Sequence, residues 1–461
     1  MTDLRLAAAI AAGKTTAALS RFLGAGGGTT MPGRVARGLL PDVTSRLARR
    51  LARGTIVVTG TNGKTTTSRL ISHILGLAGL VSVHNRAGAN LAAGITAALV
   101  QQADVLGAVR ADVGVFEVDE ATLPLLRPHL RPRVVVLTNL FRDQLDRYGE
   151  IDIIGARWRA ALEELGPQGV VVFNADDPLV TEVAAAHAGV RVPYGIEDVG
   201  CGLDTLEHTA DSRYCYRCGV PYRYVVVYFG HMGVYRCPQC ARARPAPAVA
   251  AEEVRIRGIE GTAFLLRTPE GEARVQTRLP GVYNIHNVLA AAACCRSLEI
   301  PPATVARGIV TFAPAFGRAE RVQVGKTEAV LLLAKNPAGF NEVLRTMLRA
   351  GGRVALIAIN DLTADGRDIS WLWDVDFEML AGRVDRVVVS GIRAEEMALR
   401  LKYAGVAAPA VHLEKDLAHA LDTAADLADG RTLYILPTYT AMLQLRRVLQ
   451  RRGAVRGFWE D

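Results

Sequence analysis

The stretch Thr55-Ile-Val-Val-Thr-Gly-Thr-Asn-Gly-Lys-Thr-Thr-Thr67 constrains the fold of this chain more than any other. A β-branched run enters a turn holding two glycines, and a helical pattern follows over Lys64–Leu77. A buried strand that turns sharply into a helix belongs to a parallel α/β sheet, whose crossovers are helices. Glycines at 60 and 63 let successive backbone N–H groups curl around an anion, and the helix N-terminus adds its dipole. The turn reads as a phosphate loop for ATP, built from Gly60, Thr61, Asn62, Gly63, Lys64, Thr65 and Thr66. Lys64 would reach the β- and γ-phosphates, and Thr65 would hold Mg²⁺. The first glycine of the common motif would fall at position 58, which is Val58, so this is a shorter variant. A second Gly-Lys-Thr, in Gly13-Lys14-Thr15-Thr16, has no strand before it and reads as helix with no nucleotide role.

The alternation continues beyond the loop. Residues 113–118, 134–138 and 170–173 are continuous apolar runs of the kind buried on both faces of a sheet, with helical patterns over 91–102, 151–165 and 179–188. Glu117-Val-Asp-Glu120 closes the first of these runs. Carboxylates at that end of a strand, beside a phosphate loop, are placed to hold a metal ion or its waters, and Glu117 is the leading candidate. The plainer reading is a solvated turn. Runs at 263–266 and 273–277 predict a β-meander, and a helix is expected over 284–298. A boundary near Gly317 to Gly325 precedes a second alternating stretch, with strands at 329–334, 354–359, Arg386–Ser390, 410–413 and 432–436. The expected organisation is a helical lead-in over 1–53, an ATP-binding domain over 54–316 carrying a small insert at 200–250, and a C-terminal α/β, Rossmann-like domain over 317–461. A chain of 461 residues, 50% hydrophobic, can bury cores on that scale.

No apolar run is long enough to cross a bilayer, and the Ala-rich start lacks a clear cleavage site, so a cytoplasmic location is expected. The net charge is +8, carried almost wholly by arginine, with only six lysines. The arginines near 46–53 and 446–456 fall at helical spacing and read as solvated helix faces; an anionic substrate or an acidic lipid surface is the alternative. Seven cysteines include two Cys-x-x-Cys pairs, Cys215/Cys218 and Cys237/Cys240, separated by 18 residues. The odd count and the clustering argue against a disulfide framework. Paired knuckles offer four thiolates in a tetrahedron, which suits Zn²⁺; with no open position the metal would be structural and would supply folding energy to an insert too small for its own core. Cys201, Cys294 and Cys295 read as buried apolar side chains.

Several motifs resemble those of the Mur ligases of peptidoglycan synthesis: Gly60-Thr-Asn-Gly-Lys-Thr-Thr66, Asn174-Ala-Asp-Asp-Pro178, Gly281-x-x-Asn284-x-x-Asn287 and Gly317-Arg318-x-Glu320. The four-cysteine insert and the stretch Ile359-Asn-Asp-Leu-Thr-Ala-Asp-Gly-Arg-Asp-Ile-Ser-Trp-Leu-Trp-Asp374 are similar to the amidating branch of that family, the ligase-like subunits of lipid II isoglutaminyl synthases. The resemblance implies a Mur-type fold and an ATP-driven amidation of the D-glutamate α-carboxylate of lipid II. It also implies that Asn284 and Asn287 face the adenine and that Arg318 meets phosphate or ribose. Three departures stand out. Mur ligases carry Asp-His-Leu-Asp where this chain has Asp143-Gln-Leu-Asp146. Most use a carbamoylated lysine, and here no lysine lies between Lys64 and Lys326. The usual Asp-x-Ala-His-Asn-Pro is Leu332-Leu-Ala-Lys-Asn-Pro337. These fit an enzyme whose nucleophile is ammonia.

The chain shows no glutaminase nucleophile of its own. The resemblance implies a separate, GatD-like glutaminase subunit whose Cys and His take an Asp from this chain's C-terminal domain. Asp368 is the first candidate and Asp365 the second, ahead of Asp361 and Asp374; each could instead simply cap a helix. Trp371 and Trp373 read as core or partner-facing residues. Two other functions are weighed against amidation. One is a ligase that adds an amino acid, which the missing lysine disfavours. The other is a zinc-ribbon ATPase on nucleic acid, which Asn284 and Asn287 disfavour, so no nucleic-acid partner is expected.

Overall fold

The computed structural model describes residues 3–22, 29–85, 89–142, 151–208, 210–313 and 318–455. The phosphate-loop strand β1 (Thr55–Thr59) lies inside a nine-stranded sheet of order β11-β10-β9-β6-β5-β4-β1-β3-β2. The remaining strands of that sheet are β2 (Ser82–His84), β3 (Val113–Glu117), β4 (Val134–Leu137), β5 (Val170–Asn174), β6 (Val190–Ile196), β9 (Val249–Ile256), β10 (Thr262–Thr268) and β11 (Gly271–Thr277). Pairing is parallel from β2 across to β9 and antiparallel through β9, β10 and β11, so the sheet is mixed. The chain passes from β1 outward to β2 and back to β3 on one side, and then resumes at β4 on the other. The strand order thus reverses at β1. A crevice opens at the carboxyl end of such a strand, and the phosphate loop leaves β1 there.

Helix Val282–Ser297 has almost no polar face. A helix apolar all round must be buried, and this one lies between the sheet and helix Lys64–Leu77, with Cys294 and Cys295 inaccessible. On the other face of the sheet, helices Ala92–Gln102, Leu123–Leu130 and Ile151–Glu163 form a second core. The N-terminal helices Leu4–Phe22, Met31–Leu39 and Val43–Ala48 belong to that core through Leu6, Ile10, Ala36, Val43 and Leu47.

Three of the expected apolar runs belong to strands longer than their patterns, β5, β10 and β11, and β2, β6 and β9 left no clear pattern at all. Pro193 and Gly195 interrupt the apolar run in β6. The insert is the excursion between β6 and β9, which are parallel neighbours. It contains the antiparallel hairpin of β7 (Arg223–Phe229) and β8 (Met232–Arg236). A second, six-stranded sheet has the order β12-β13-β17-β14-β15-β16. Its strands are β12 (Arg318–Val324), β13 (Thr327–Leu332), β14 (Val354–Ala358), β15 (Arg386–Ser390), β16 (Val411–Leu413) and β17 (Leu433–Pro437). Gly325 is the turn of the β12–β13 hairpin, with φ +58°. Separate apolar cores cover the two faces of this sheet.

Candidate active site

The loop after β1 is shaped by the exit of β4. Gly60 and Gly63 have φ of +136° and +86°, which disfavour any side chain. A Cβ on Gly60 would strike the Thr138 hydroxyl and the Asn139 carbonyl; one on Gly63 would strike the side-chain amide of Asn287. Asn62 N donates to Asn139 Oδ1 at 2.9 Å, and Thr138 Oγ1 donates to the Asn62 carbonyl at 2.8 Å. The Thr61 hydroxyl donates to Phe141 O at 3.1 Å and accepts from Phe141 N at 3.0 Å. Sequence reading passed over Thr138 and Asn139; their only signal is their place just beyond a buried strand.

Helix Lys64–Leu77 begins inside this turn. Lys64 is buried, and its Nζ donates to the carbonyl of Thr61 at 3.1 Å and to Glu120 Oε2 at 3.0 Å. The Thr65 hydroxyl donates to Glu117 Oε2 at 2.8 Å. Adjacent oxygens on an octahedral Mg²⁺, each bound at 2.0–2.1 Å, stand about 2.9 Å apart. These two oxygens therefore fit neighbouring positions on one such ion. Asn85 fixes Glu117 by accepting from its N–H at 2.9 Å and donating to its carbonyl at 2.7 Å. Glu120 is held from behind by Trp158 Nε1, which donates to its carbonyl at 2.8 Å. Glu120 was not singled out among the acidic residues of its turn, because nothing in the spacing tells which one meets the lysine.

The loop forms one wall of a cavity of about 340 Å³. Asn90, Asp119 and Tyr283 extend that wall, and Lys335, Gly339, Glu342 and Tyr439 of the second sheet's unit face it. Asn336 ties the two together. It caps helix Pro337–Arg349 by accepting from Gly339 N at 2.9 Å, and its Nδ2 donates to Asn62 Oδ1 at 2.9 Å. Burial pushes the Glu342 carboxyl above its usual pKa; Arg345 opposes the shift and Glu207 adds to it. Asn284 lines the cavity. Asn287 is not among the lining residues: its Nδ2 donates to Asn284 Oδ1 at 2.9 Å, and its amide fills the space that Gly63 leaves open.

The motif Asn174-Ala-Asp-Asp-Pro178 is a scaffold behind this site. Asp177 caps helix Pro178–Ala184 and accepts from Leu140 N at 2.9 Å. Asp176 is fully buried, which would raise its pKa, but Arg244 and His286 outweigh burial and hold it below the ordinary value. Residues 143–146 lie outside the described residues, as does the side chain of Arg318.

The two candidate aspartates of the C-terminal part differ sharply. Asp365 is buried and accepts from the N–H groups of Thr440 at 2.8 Å and Leu362 at 3.2 Å; burial nevertheless raises its pKa. Asp368 is exposed and accepts from Ser370 N at 2.8 Å, at the start of the short 3-10 turn Ser370–Trp373. Nearby, Trp373 is 53% exposed and stacks edge-on with Tyr403.

In the insert, the four sulfurs of Cys215, Cys218, Cys237 and Cys240 lie within 4.8 Å of one another. A tetrahedron of sulfurs bound to zinc at ~2.3 Å has edges of about 3.8 Å, so the cluster fits that ion with little movement. Each pair is followed by a residue of positive φ, Gly219 at +71° and Ala241 at +56°, which turns the chain back over its thiolates. The N–H groups of Cys240 and Gln239 hold the Cys237 thiol below its usual pKa. Tyr222, Tyr224 and Tyr235 pack around the cluster.

With this geometry in view, comparison with known proteins places the chain. The Mur ligase middle-domain family model matches residues 58–215, and the MurT ligase C-terminal family model matches residues 333–442. The chain is 35% identical, over 92% of its length and 93% of the relative's, to the lipid II isoglutaminyl synthase (glutamine-hydrolyzing) subunit MurT of Staphylococcus aureus. It is 31% identical, over 94% of each chain, to the subunit of the same name from Streptococcus pneumoniae. Among solved structures, a pseudomurein peptide ligase type C from Methanothermus fervidus superposes with a TM-score of 0.67 at 22% identity, covering 88% of this chain and 80% of the other.

Proposed function

We propose that this chain, which belongs to the MurT family of Mur-type ligases, amidates the α-carboxylate of D-glutamate in lipid II to D-isoglutamine, at the expense of ATP, as one subunit of a glutamine-hydrolysing synthase. The observation that carries the reading is the cavity at the strand-order reversal, with Lys64, Thr65 and Glu117 on one wall and the second unit's Lys335 and Glu342 on the other. A carboxylate is a poor acyl donor. The substrate carboxylate takes the γ-phosphoryl group of ATP, giving an acyl phosphate and ADP. Ammonia then attacks the acyl carbon and expels inorganic phosphate. Such transfers need charge neutralisation and alignment more than covalent help from the protein. The loop N–H groups and Lys64 hold the phosphates, and Thr65 and Glu117 hold Mg²⁺. When bound, that ion neutralises charge on the transferring phosphoryl group. Asn284, on the cavity wall, would meet the base; the family resemblance assigns Arg318 to phosphate or ribose.

The ammonia comes from a GatD-like glutaminase subunit docked on the C-terminal unit. Asp368, exposed and five residues before Trp373 in the chain, supplies the acid of the partner's triad; Asp365 is already occupied by Thr440 and Leu362. Zinc in the four-cysteine site is structural. The chain is read as a helical lead-in (1–53), an ATP-binding unit (54–316) with the ribbon insert (200–250) and a partner-docking unit (317–461). It works at the membrane face where lipid II resides.

The test is amidation of lipid II by the chain with ATP, Mg²⁺ and ammonium, read by mass spectrometry as hydroxyl replaced by amino. Transfer of a free amino acid to the substrate instead would overturn the reading. Within the two-subunit complex, Asp368→Asn should abolish glutamine-dependent turnover, by ~10³-fold or more, and leave ammonium-dependent turnover intact. Equal loss from both nitrogen sources would reject the triad assignment. Metal analysis of the purified chain should find zinc, and Cys218→Ser should lose it and lower Tm by about 5 °C or more. An unchanged melting curve would speak against a structural metal.

A further inference from the structure

The chain's positive charge is not spread evenly. Residues 1–53 contain nine Lys and Arg against two Asp and no Glu, a net +7 of the chain's +8. Both acids, Asp3 and Asp42, pair with one cation, Arg46. The other eight cations make no ion pair among the described residues. Helix Leu4–Phe22 buries Leu6, Ala9, Ile10, Gly13 and Ala17 on its inner side. Its outer side carries Leu4, Ala8, Ala11, Thr15, Leu19 and Phe22, all exposed and all without charge. Leu4 is 76% and Phe22 87% exposed. A helix that is apolar inside and outside is normally covered on both sides.

The packing shows where this face points. Gly13 lies against the Pro32 carbonyl and Ala36, and Asp3, just before the first helix, pairs with Arg46, beyond the end of the second, so Leu4–Phe22 and Met31–Leu39 run antiparallel. Leu19 and Phe22 therefore share one end of the pair with Met31, itself 52% exposed. Gly33 is pressed on the backbone of Ala93, in the first turn of helix Ala92–Gln102 and three residues after Asn90 on the cavity wall. The apolar end thus sits on the cavity side of the sheet, flanked by exposed Arg21 and Arg34. No helix among the described residues is long and apolar enough to cross a membrane. An uncharged helix face flanked by arginines that make no ion pair among the described residues matches a surface that is apolar below and anionic above.

We propose that the N-terminal helix pair is the surface by which this chain rests on an anionic phospholipid bilayer. The outer face of Leu4–Phe22, with Met31, enters the headgroup region, and Arg21 and Arg34 meet lipid phosphates. The inference rests on the lipid II reading only for placing a bilayer beside the enzyme. It is tested by sedimenting the full chain with vesicles of equal phosphatidylglycerol and phosphatidylcholine, or of phosphatidylcholine alone. The chain should bind the anionic vesicles, release with added salt, and lose affinity about fivefold for each charge removed, so that R21E/R34E binds at least tenfold more weakly. L19Q/F22S should weaken binding about tenfold or more with Tm unchanged. Absence of sedimentation would overturn the proposal, as would equal binding to neutral vesicles. So would binding that L19Q/F22S leaves intact and that heparin competes away, which marks a soluble polyanion as the partner. A dimer in light scattering that Phe22→Ser dissociates, without vesicle binding, would instead assign the face to a second copy. Amidation of a water-soluble, lipid-free muramyl peptide separates the two readings: vesicle binding without amidation defeats the function, and amidation without vesicle binding defeats the surface.

Discussion

Two stretches of this chain contain the same four residues in the same order, Gly13-Lys14-Thr15-Thr16 and Gly63-Lys64-Thr65-Thr66, and they are built for different ends. In the first, Gly13 is mid-helix and serves close packing against Val100 and the Pro32 carbonyl. Thr15 and Thr16 donate back to the carbonyls of Ala11 and Ala12 at 2.9 and 2.8 Å, and Lys14 donates to the Gln101 carbonyl at 3.4 Å. In the second, Gly63 is left-handed, Lys64 is buried on Glu120, and Thr65 donates to Glu117. The difference lies upstream. An Ala-rich run continues as helix through the first copy. A β-branched strand drives the second into the crevice where strand order reverses, where Lys64 and Thr65 line the cavity.

Paired substitutions at equivalent positions separate the two copies experimentally. Lys64→Ala should lower ammonia-dependent amidation by ~10³-fold or more, whereas Lys14→Ala should leave it within about twofold. Similar losses from both would mean that the N-terminal copy also handles nucleotide. Gly63→Ala forces a side chain into a left-handed backbone and onto Asn287; it should cost about 1–3 kcal/mol and ~10²-fold in turnover. Gly13→Ala gains about 1 kcal/mol of helix propensity but meets Val100 and a backbone oxygen, so it should destabilise by roughly 1 kcal/mol net while kcat holds. Urea melts and initial rates distinguish these outcomes. Thr65→Ala should raise the Mg²⁺ concentration for half-maximal rate about tenfold, and Thr15→Ala should shift stability by no more than ~0.5 kcal/mol. A Mg²⁺ response that ignores Thr65 would remove it from the cation's ligands.

The same contrast explains what was legible beforehand. Strand β1 and its helix could be read because period, turn chemistry and helix start agree at one place. The boundaries of Lys64–Leu77 and Arg386–Ser390 match the pattern residue for residue. Strand β6 was hidden by Pro193 and Gly195, and β2 is only three residues long. The insert was visible through its cysteines, but its seat between two parallel neighbours was not, since a sequence carries no sign of which strand pairs across an excursion. Within the site, the loop was legible and its supports were not. Asn287 against Gly63, Asn336 on Asn62 and Glu120 on Lys64 are contacts across 224, 274 and 56 residues, and local pattern holds no trace of them. The sequence ranks Asp368 ahead of Asp365 without a physical distinction between them; burial and the hydrogen bonds from Thr440 and Leu362 supply one.

If the loop at Gly60–Thr66 activates a carboxylate as an acyl phosphate, hydroxylamine should trap it. Incubation of the chain with lipid II, ATP and Mg²⁺, with hydroxylamine in place of ammonia, should give a hydroxamate on the D-glutamate α-carbon carboxyl, formed with ADP and phosphate, in wild type and in Lys14→Ala but not in Lys64→Ala. Release of AMP and pyrophosphate, or ATP turnover that proceeds without lipid II and yields no hydroxamate, would rule out the acyl phosphate.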